Sequence, residues 1–538
     1  MQDHPLALTH FVDRAERLYA GKQIVTATGS GRERYTYGQW AERTRRLGGV
    51  LDSLGISGDG RVATFGWNTA RHLELYFAAP CSGRVLHTLN IRLFPEQVTY
   101  VANHAEDEVV FVDRSLTKLL WPLLETMKTV RHVVVMDDGA GDQPDDAGAG
   151  KELHDYETLL AESEPAEFHV EDENQAASMC YTSGTTGNPK GVVYSHRSTV
   201  LHTIGVMIAD SIGIREADVI LPVVPMFHAN AWGLAHAGVA SGASLVMPGA
   251  DLSAKALADL IETEKVSVAA GVPTIWMGVL DELDGRDLSA LRAIPCGGSA
   301  VPKVLSEGYR AKTGLPIMQA WGMTETSPVA TVASVKSNLM DRSDEELADL
   351  RTTVGLPQML VDLRIVDPEG NLVPGDGETS GELQAAGPWI ARTYYNDDRA
   401  EESFTQDGWL RTGDVATVDG EGYVRIVDRT KDVVKSGGEW ISSVELENEL
   451  MAHPKVAEAA VIGMPHPKWG ERPMACVVLK PGEEATREEL LDFLQDKVAK
   501  WWLPDDVVFI DEVPKTSVGK FSKKDLRQRF EGHQLPTG

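Results

Sequence analysis

Across residues 253–265 the apolar positions fall three and four apart, so Leu257, Leu260 and Ile261 share one face behind Ser253, a residue suited to cap a helix. The stretch that follows, VSVAAGV at 266–272, is a short β-branched run with no helical period and predicts a buried strand. The same change of period recurs along most of the chain. AASMCY at 176–181 predicts a buried strand, and SHRSTVLHTIGVM predicts a helix opened by Ser195. Such alternation predicts an α/β fold with largely parallel sheets flanked by helices. DDGAGDQPDDAGAGK at 137–151 has nothing apolar to bury and predicts a surface loop. No internal repeat is present.

The pattern changes near GYVRIVDRTKDVVKSGGEW, residues 422–440, where short β-branched runs are broken by charges and glycines. Beyond it lie VAEAAVIGMP, PMACVVLK and a helix, TREELLDFLQDKVAKW, whose Thr486 and Glu489 have capping-box spacing. About 110 residues suffice for a small domain. A boundary is therefore expected at Lys431, dividing a large domain, 1–430, from a small α+β domain, 431–538.

Composition narrows the function. A chain of 538 residues with 42% apolar and 24% charged residues has the balance of a soluble globular protein and room for more than one core. A net charge of −29 argues against nucleic acid as the main partner, because phosphate binding rests on Lys and Arg. Any anionic ligand must be met by local positive potential. Cys81, Cys180, Cys296 and Cys476 lie far apart and form no CxxC pair, so buried reduced thiols are expected rather than a zinc ribbon or disulfide framework. The first residues, MQDHPLALTHFVDRAERLYAG, carry acids and no long apolar run, unlike a signal peptide. No run of about 18 apolar residues suggests a membrane span, and a cytoplasmic location is expected.

Between the predicted strand at 176–181 and the helix behind Ser195 lies TSGTTGNPKG. Its glycines let main-chain N–H groups approach a ligand, and Thr182, Ser183, Thr185 and Thr186 add hydroxyls among Gly184, Gly187 and Lys190. Donors at this density suit phosphate oxygens, although alone the loop reads equally as a polar turn. It is not a P-loop: after Gly184 and four residues that pattern needs Gly-Lys-Ser/Thr, and here stand Pro189, Lys190 and Gly191.

The loop resembles the phosphate-binding signature of the adenylate-forming superfamily, which includes acyl-CoA synthetases, beetle luciferases and nonribosomal-peptide adenylation domains. Seven further motifs resemble that superfamily in order: PMFHANAWG at 225–233, GGSA at 297–300, QAWGMTETSP at 319–328, GELQAAGPWIARTYYN at 381–396, WLRTGD at 409–414, DRTKDVVKSGGEWIS at 428–442 and PKTSVGKFSKK at 514–524. The resemblance implies a two-step ligase: a carboxylate attacks the α-phosphorus of ATP to give an acyl-adenylate and pyrophosphate, and the thiol of coenzyme A then displaces AMP. It implies a Mg2+ ligand at Glu325, an α-phosphate hydroxyl at Thr324, and an adenine-stacking ring at Trp321. Gly298, Ser299, Ala300, Gln319, Ala320, Gly322 and Met323 complete the implied ATP site. Asp414 and Arg429 would take the ribose. Lys520, on a loop after Gly519, would bridge carboxylate and α-phosphate during adenylation, though outside the motif it reads as a solvated lysine among Lys515, Lys523 and Lys524. Lys431 would be the hinge about which the small domain turns to present Lys435, Ser436, Gly437, Gly438 and Trp440 to CoA, though Trp440 reads equally as a plain core or surface residue.

For the acid, His228 and Trp232 resemble the gate of the acyl tunnel, and His228 reads equally as a core histidine. Acetate-specific relatives carry a second tryptophan where this chain has Gly322, which implies a pocket open to longer chains. The lining Trp232, Val272, Pro273, Met277, Gly297 and Ala300 offers no partner for a second charge, and an unpaired buried charge is costly. A medium- to long-chain fatty acid is expected, with an aryl acid as the alternative. Other readings are an adenylating enzyme with an amine or carrier-protein acceptor, and a non-catalytic binding protein, against which Lys190, Glu325, Asp414, Arg429 and Lys520 are all present. A homodimer is the weak expectation for oligomeric state.

Overall fold

The computed structural model describes every residue except 183–187, 399, 438, 517–520 and 537–538, with the side chains of 400 and 439 also outside the description. It is a mixed α/β structure. Its widest sheet runs in the order Glu152–Asp155, His132–Met136, Asp107–Asp113, Arg61–Phe65, Val85–Thr88, Ala176–Tyr181, Gly191–Ser195. The first six strands are parallel and the last is antiparallel. Buried on both faces, the inner strands read as apolar runs, as in VVFV and HVVVM.

A second sheet orders Val268–Ala270, Val219–Pro222, Ser244–Met247, Gln23–Thr28 and Gly31–Thr36, its first four strands parallel. The strand expected at 266–272 keeps only Val268–Ala270, because Pro273 starts a helix that runs to Asp281. Ser253 caps Ala254–Thr263 through its side chain, and Leu257, Leu260 and Ile261 are buried as their spacing requires. Two four-stranded sheets follow, one of Pro295–Gly297, Met318–Gly322, Val329–Val332 and Leu356–Pro357, the other of Asp362–Val366, Gly381–Ala386, Leu410–Val418 and Val424–Arg429.

The C-terminal part is built on the hairpin Val456–His466 and Gly470–Leu479. Thr486 caps the helix Arg487–Leu494 by accepting from the Glu489 N–H, but Glu489 pairs with Lys455 instead of returning the bond, so the box is half formed. The helix also ends at Leu494, short of the expected length. The tract at 137–151 is a loop that does bury one apolar residue, Ala147. All four cysteines are buried free thiols. Among the described residues no helix is long and apolar enough to cross a membrane.

Candidate active site

The strand Ala176–Tyr181 and its antiparallel partner Gly191–Ser195 form the base of the serine- and threonine-rich loop. Thr182 and Lys190 close its neck: the Thr182 N–H donates to the Lys190 carbonyl at 2.9 Å, and the Lys190 N–H to Thr182 Oγ1 at 3.1 Å. Ser183, Gly184, Thr185, Thr186 and Gly187 lie outside the described residues. Lys190 Nζ donates to Ser403 Oγ at 3.2 Å and stands 4.4 Å from the centre of the Tyr394 ring, an approach at which the ring face attracts a cation.

Tyr394 connects this lysine to a distant part of the chain, since its hydroxyl donates to Glu325 Oε1 at 2.6 Å. Burial and then the Glu325 carboxylate push its phenol well above the usual range, so it is a donor at neutral pH. Glu325 sits in the one-turn 3-10 segment Thr324–Thr326, directly after the strand Met318–Gly322. Tyr194 steadies that turn by donating to the Thr324 carbonyl at 2.7 Å. Neither tyrosine was singled out in the sequence. Tyr394 stands inside the GPWIARTYYN motif, and Tyr194 alternates with buried Val192 on its strand, but no local pattern names their partners.

Two residues expected at the ATP site have close protein neighbours. Gln319 is buried, and its amide accepts from the Val301 N–H at 3.0 Å and donates to the Thr352 carbonyl at 3.3 Å, pinning the loop that carries exposed Ser299 and Ala300. At Gly322 a Cβ would lie 1.8 Å from the Pro328 carbonyl oxygen, beside the point where the strand register shifts between Trp321 and Gly322. Gly322→Ala is therefore expected to cost about 1–3 kcal/mol of stability by overpacking and to depress turnover with every acid; a selective shift toward short acids would show that the position faces the pocket after all. Ala320 is buried, and Met323 is half-buried with its N–H on Thr326 Oγ1 at 2.9 Å.

Asp414 and Arg429 are register partners on adjacent antiparallel strands, and directly opposed residues share a face. Arg429 Nε meets Asp414 Oδ1 at 2.7 Å, and Trp321 Nε1 donates to Asp414 Oδ2 at 2.9 Å. Arg429 and Trp321 thus each meet one carboxylate oxygen of this buried aspartate, and three residues expected at the nucleotide form one group.

Near the expected acyl gate, Ala229, Asn230, Ala231 and Trp232 have φ of 42°, 51°, 50° and 57°. A left-handed run costs about 1–2 kcal/mol per residue. Buried polar bonds hold it: Asn230 Nδ2 donates to Ser178 Oγ at 2.9 Å and Cys180 Sγ to Asn230 Oδ1 at 3.3 Å. The turn lays Trp232 against Gly297, where a Cβ would be 3.4 Å from the indole. Val272 packs in the same cluster as Trp232 and Ala320, with buried Pro273 next in sequence. Met277 packs against the cluster that includes Trp276. His228 is half-buried, and its N–H donates to the Pro225 carbonyl at 3.1 Å.

Lys431 is exposed; its carbonyl accepts from Arg527 at 3.3 Å, and Arg527 pairs with Asp432 at 2.8 Å. Lys435 and Trp440 are register partners on Val434–Ser436 and Glu439–Ile441. Ser436 is buried and accepts from Arg472 at 3.2 Å. Gly437, at φ 63°, donates its N–H to the Trp469 carbonyl at 2.8 Å, and the Trp469 ring leaves 2.9 Å for a Cβ. Gly438 and Lys520 lie outside the described residues. Lys523 is partly buried, its side chain 11% exposed, and pairs with Glu447 at 2.7 Å, and Lys515 pairs with Glu458 at 2.7 Å.

One ammonium, that of Lys190, and one carboxylate, that of Glu325, suit a polyphosphate met by a divalent cation. Carboxylate oxygen is the hard donor that Mg2+ takes.

Residues 12–395 match the family model described as AMP-binding enzyme, and residues 445–520 match AMP-binding enzyme C-terminal domain. The chain is 47% identical to a long-chain-fatty-acid–CoA ligase of Thermus thermophilus, over 99% of this chain and 97% of that one. It is 45% identical to a 3-methylmercaptopropionyl-CoA ligase of Ruegeria lacuscaerulensis (98% and 98%) and 41% identical to a medium-chain-fatty-acid–CoA ligase of Ectopseudomonas oleovorans (98% and 97%). Among solved structures it is similar to ATP-bound MatB from Rhodopseudomonas palustris, with a TM-score of 0.83 and 26% identity over 98% of this chain and 99% of that one.

Proposed function

Since the chain belongs to the AMP-binding enzyme family, as an AMP-forming acid–thiol ligase, we propose that it activates a medium- to long-chain fatty acid and transfers it to coenzyme A. A carboxylate oxygen attacks the α-phosphorus of ATP and pyrophosphate leaves; the CoA thiol then attacks the acyl carbon, loses its proton and expels AMP. The observation that carries the reading is the convergence of Lys190 and Glu325 on Tyr394, which gathers opposite charges at the neck of a hydroxyl-rich loop. Opposed charges held in place before reaction are what a transition state between two anions requires.

In this reading Glu325 is the residue that would hold Mg2+, which would supply charge neutralisation to the phosphates. Tyr394 orients the carboxylate, and Lys190 meets phosphate oxygens. The Asp414 carboxylate, braced by Trp321 and Arg429, accepts from ribose hydroxyls. The acid chain lies along the apolar group of Trp232, Val272 and Ala320. The small domain, 431–538, carries Lys520 to the α-phosphate and afterwards turns about Lys431 to bring residues 435–440 to CoA. Lys520→Ala is expected to nearly abolish pyrophosphate release while leaving thioester formation from supplied acyl-adenylate largely intact. Equal loss of both steps would sink that role.

The substrate reading is supported by the relatives at 47% and 41% identity and tested by pyrophosphate release with MgATP, with and without CoA. The acids would run from propionate and 3-methylmercaptopropionate through straight chains to benzoate. CoA-dependent turnover with its optimum at a medium or long aliphatic chain is expected. An optimum at a short or aryl acid would reject the substrate class and keep the ligase; turnover indifferent to CoA would reject the acceptor.

A further inference from the structure

The far edge of the seven-stranded sheet carries a cluster that ligase chemistry does not use. His132 opens the strand His132–Met136, and Glu152 opens the edge strand Glu152–Asp155. The two strands run parallel, with His132 opposite Glu152 and Val134 opposite His154. Residues two apart on a strand share a face, so the register places His132, Glu152 and His154 on one face.

Three atoms of these side chains face one another. His132 Nδ1 lies 3.2 Å from His154 Nε2 and 3.5 Å from Glu152 Oε2, and His154 Nε2 lies 3.7 Å from the same oxygen. A point in the plane of that triangle is about 2.0 Å from all three corners, the length of zinc–imidazole and zinc–carboxylate bonds. The spacing of the three donors therefore matches that of ligands around one ion. His132 is buried, which limits the freedom of its ring. Nearby cations are engaged elsewhere: Arg131 pairs with Glu108 at 2.5 Å, and Lys151 Nζ donates to the Met127 and Val130 carbonyls at 2.7 Å each.

We propose that His132, Glu152 and His154 bind one divalent transition-metal ion of the zinc class, with water completing its coordination. Two imidazoles favour such an ion over Mg2+ or Ca2+, which sets this site apart from the hard oxygens at Glu325. The ion would tie the edge strand to its neighbour across the acidic loop at 137–151. Four strand spacings of about 4.8 Å separate His132–Met136 from Ala176–Tyr181, roughly 19 Å, so the ion would stabilise the sheet and take no part in catalysis.

The test is calorimetric titration of chelator-treated full-length protein with Zn2+, paired with Co2+ titration read by visible absorption and with thermal melting. One equivalent bound tightly, with a saturable rise in melting temperature, is expected. Loss of an outer contact alone weakens metal sites about 10- to 100-fold, so Glu152→Gln and His154→Asn, which each remove a ligand, should weaken this equivalent at least as much. Both variants should melt like the metal-free wild type and release pyrophosphate at its rate. Absence of the equivalent in the wild type, or its survival undiminished in His154→Asn, overturns the proposal.

Discussion

Lys523→Met is expected to cost about 3–5 kcal/mol of stability, the penalty for removing one partner of a buried ion pair. Lys523 is 11% exposed and Glu447 10%. The lysine also donates to Ser443 Oγ, Glu447 accepts from the Val461 N–H at 2.7 Å, and Asp428 accepts from the Ser443 N–H at 2.8 Å. Burial pushes both carboxyls above their ordinary range, and although it pulls the lysine down, Glu447 and Asp428 outweigh it and hold the ammonium charged. Methionine fills similar volume but strands two buried acids. Denaturant unfolding measures the loss, and the pair Lys523→Met with Glu447→Leu should recover much of it, since replacing both partners removes the unpaired charge. A single variant as stable as the wild type would mean that the network contributes nothing. Asp428 precedes the proposed hinge, while Ser443, Glu447 and Lys523 follow it, so the same bonds would also hold the proposed small domain in this orientation.

Glu325→Gln should lower pyrophosphate release by about 10²- to 10³-fold, the scale seen when one preorganised electrostatic contact is lost from a transition state. The amide is nearly isosteric and can still accept from Tyr394, so melting should be unchanged. Thioester formation from supplied acyl-adenylate involves no polyphosphate and should be spared; equal loss in both steps would remove Glu325 from the phosphate site. Tyr394→Phe should cost about tenfold in the same assay, in line with about 0.5–1.5 kcal/mol for a single hydrogen bond.

Much of this protein is legible in its sequence. The helix at 254–263 declares itself through its apolar period and serine cap, and the strand at 176–181 through a short, mostly apolar run without helical period. Both are local signals. The helix behind Thr486 was read too long because its charged end keeps helical propensity after the buried face stops at Leu494. Lys523 looked solvated because its neighbours in sequence are charged, whereas the acids that bury it come from 76 and 95 residues earlier.

What the sequence determined by itself is the chemistry: glycine, hydroxyl and charged residues at set spacings on loops, in an order that identified a ligase. Loop motifs meet their ligands through their own backbone and side chains, so their meaning survives without knowledge of packing. What only the tertiary structure decided is direction and partnership. At position 322, next to a register shift, the backbone of Pro328 leaves no room for a Cβ, which no local pattern announces. Glu325 and Lys190 meet through Tyr394, and Trp321, Asp414 and Arg429 form one unit, because sheets and turns bring together residues that no local pattern relates.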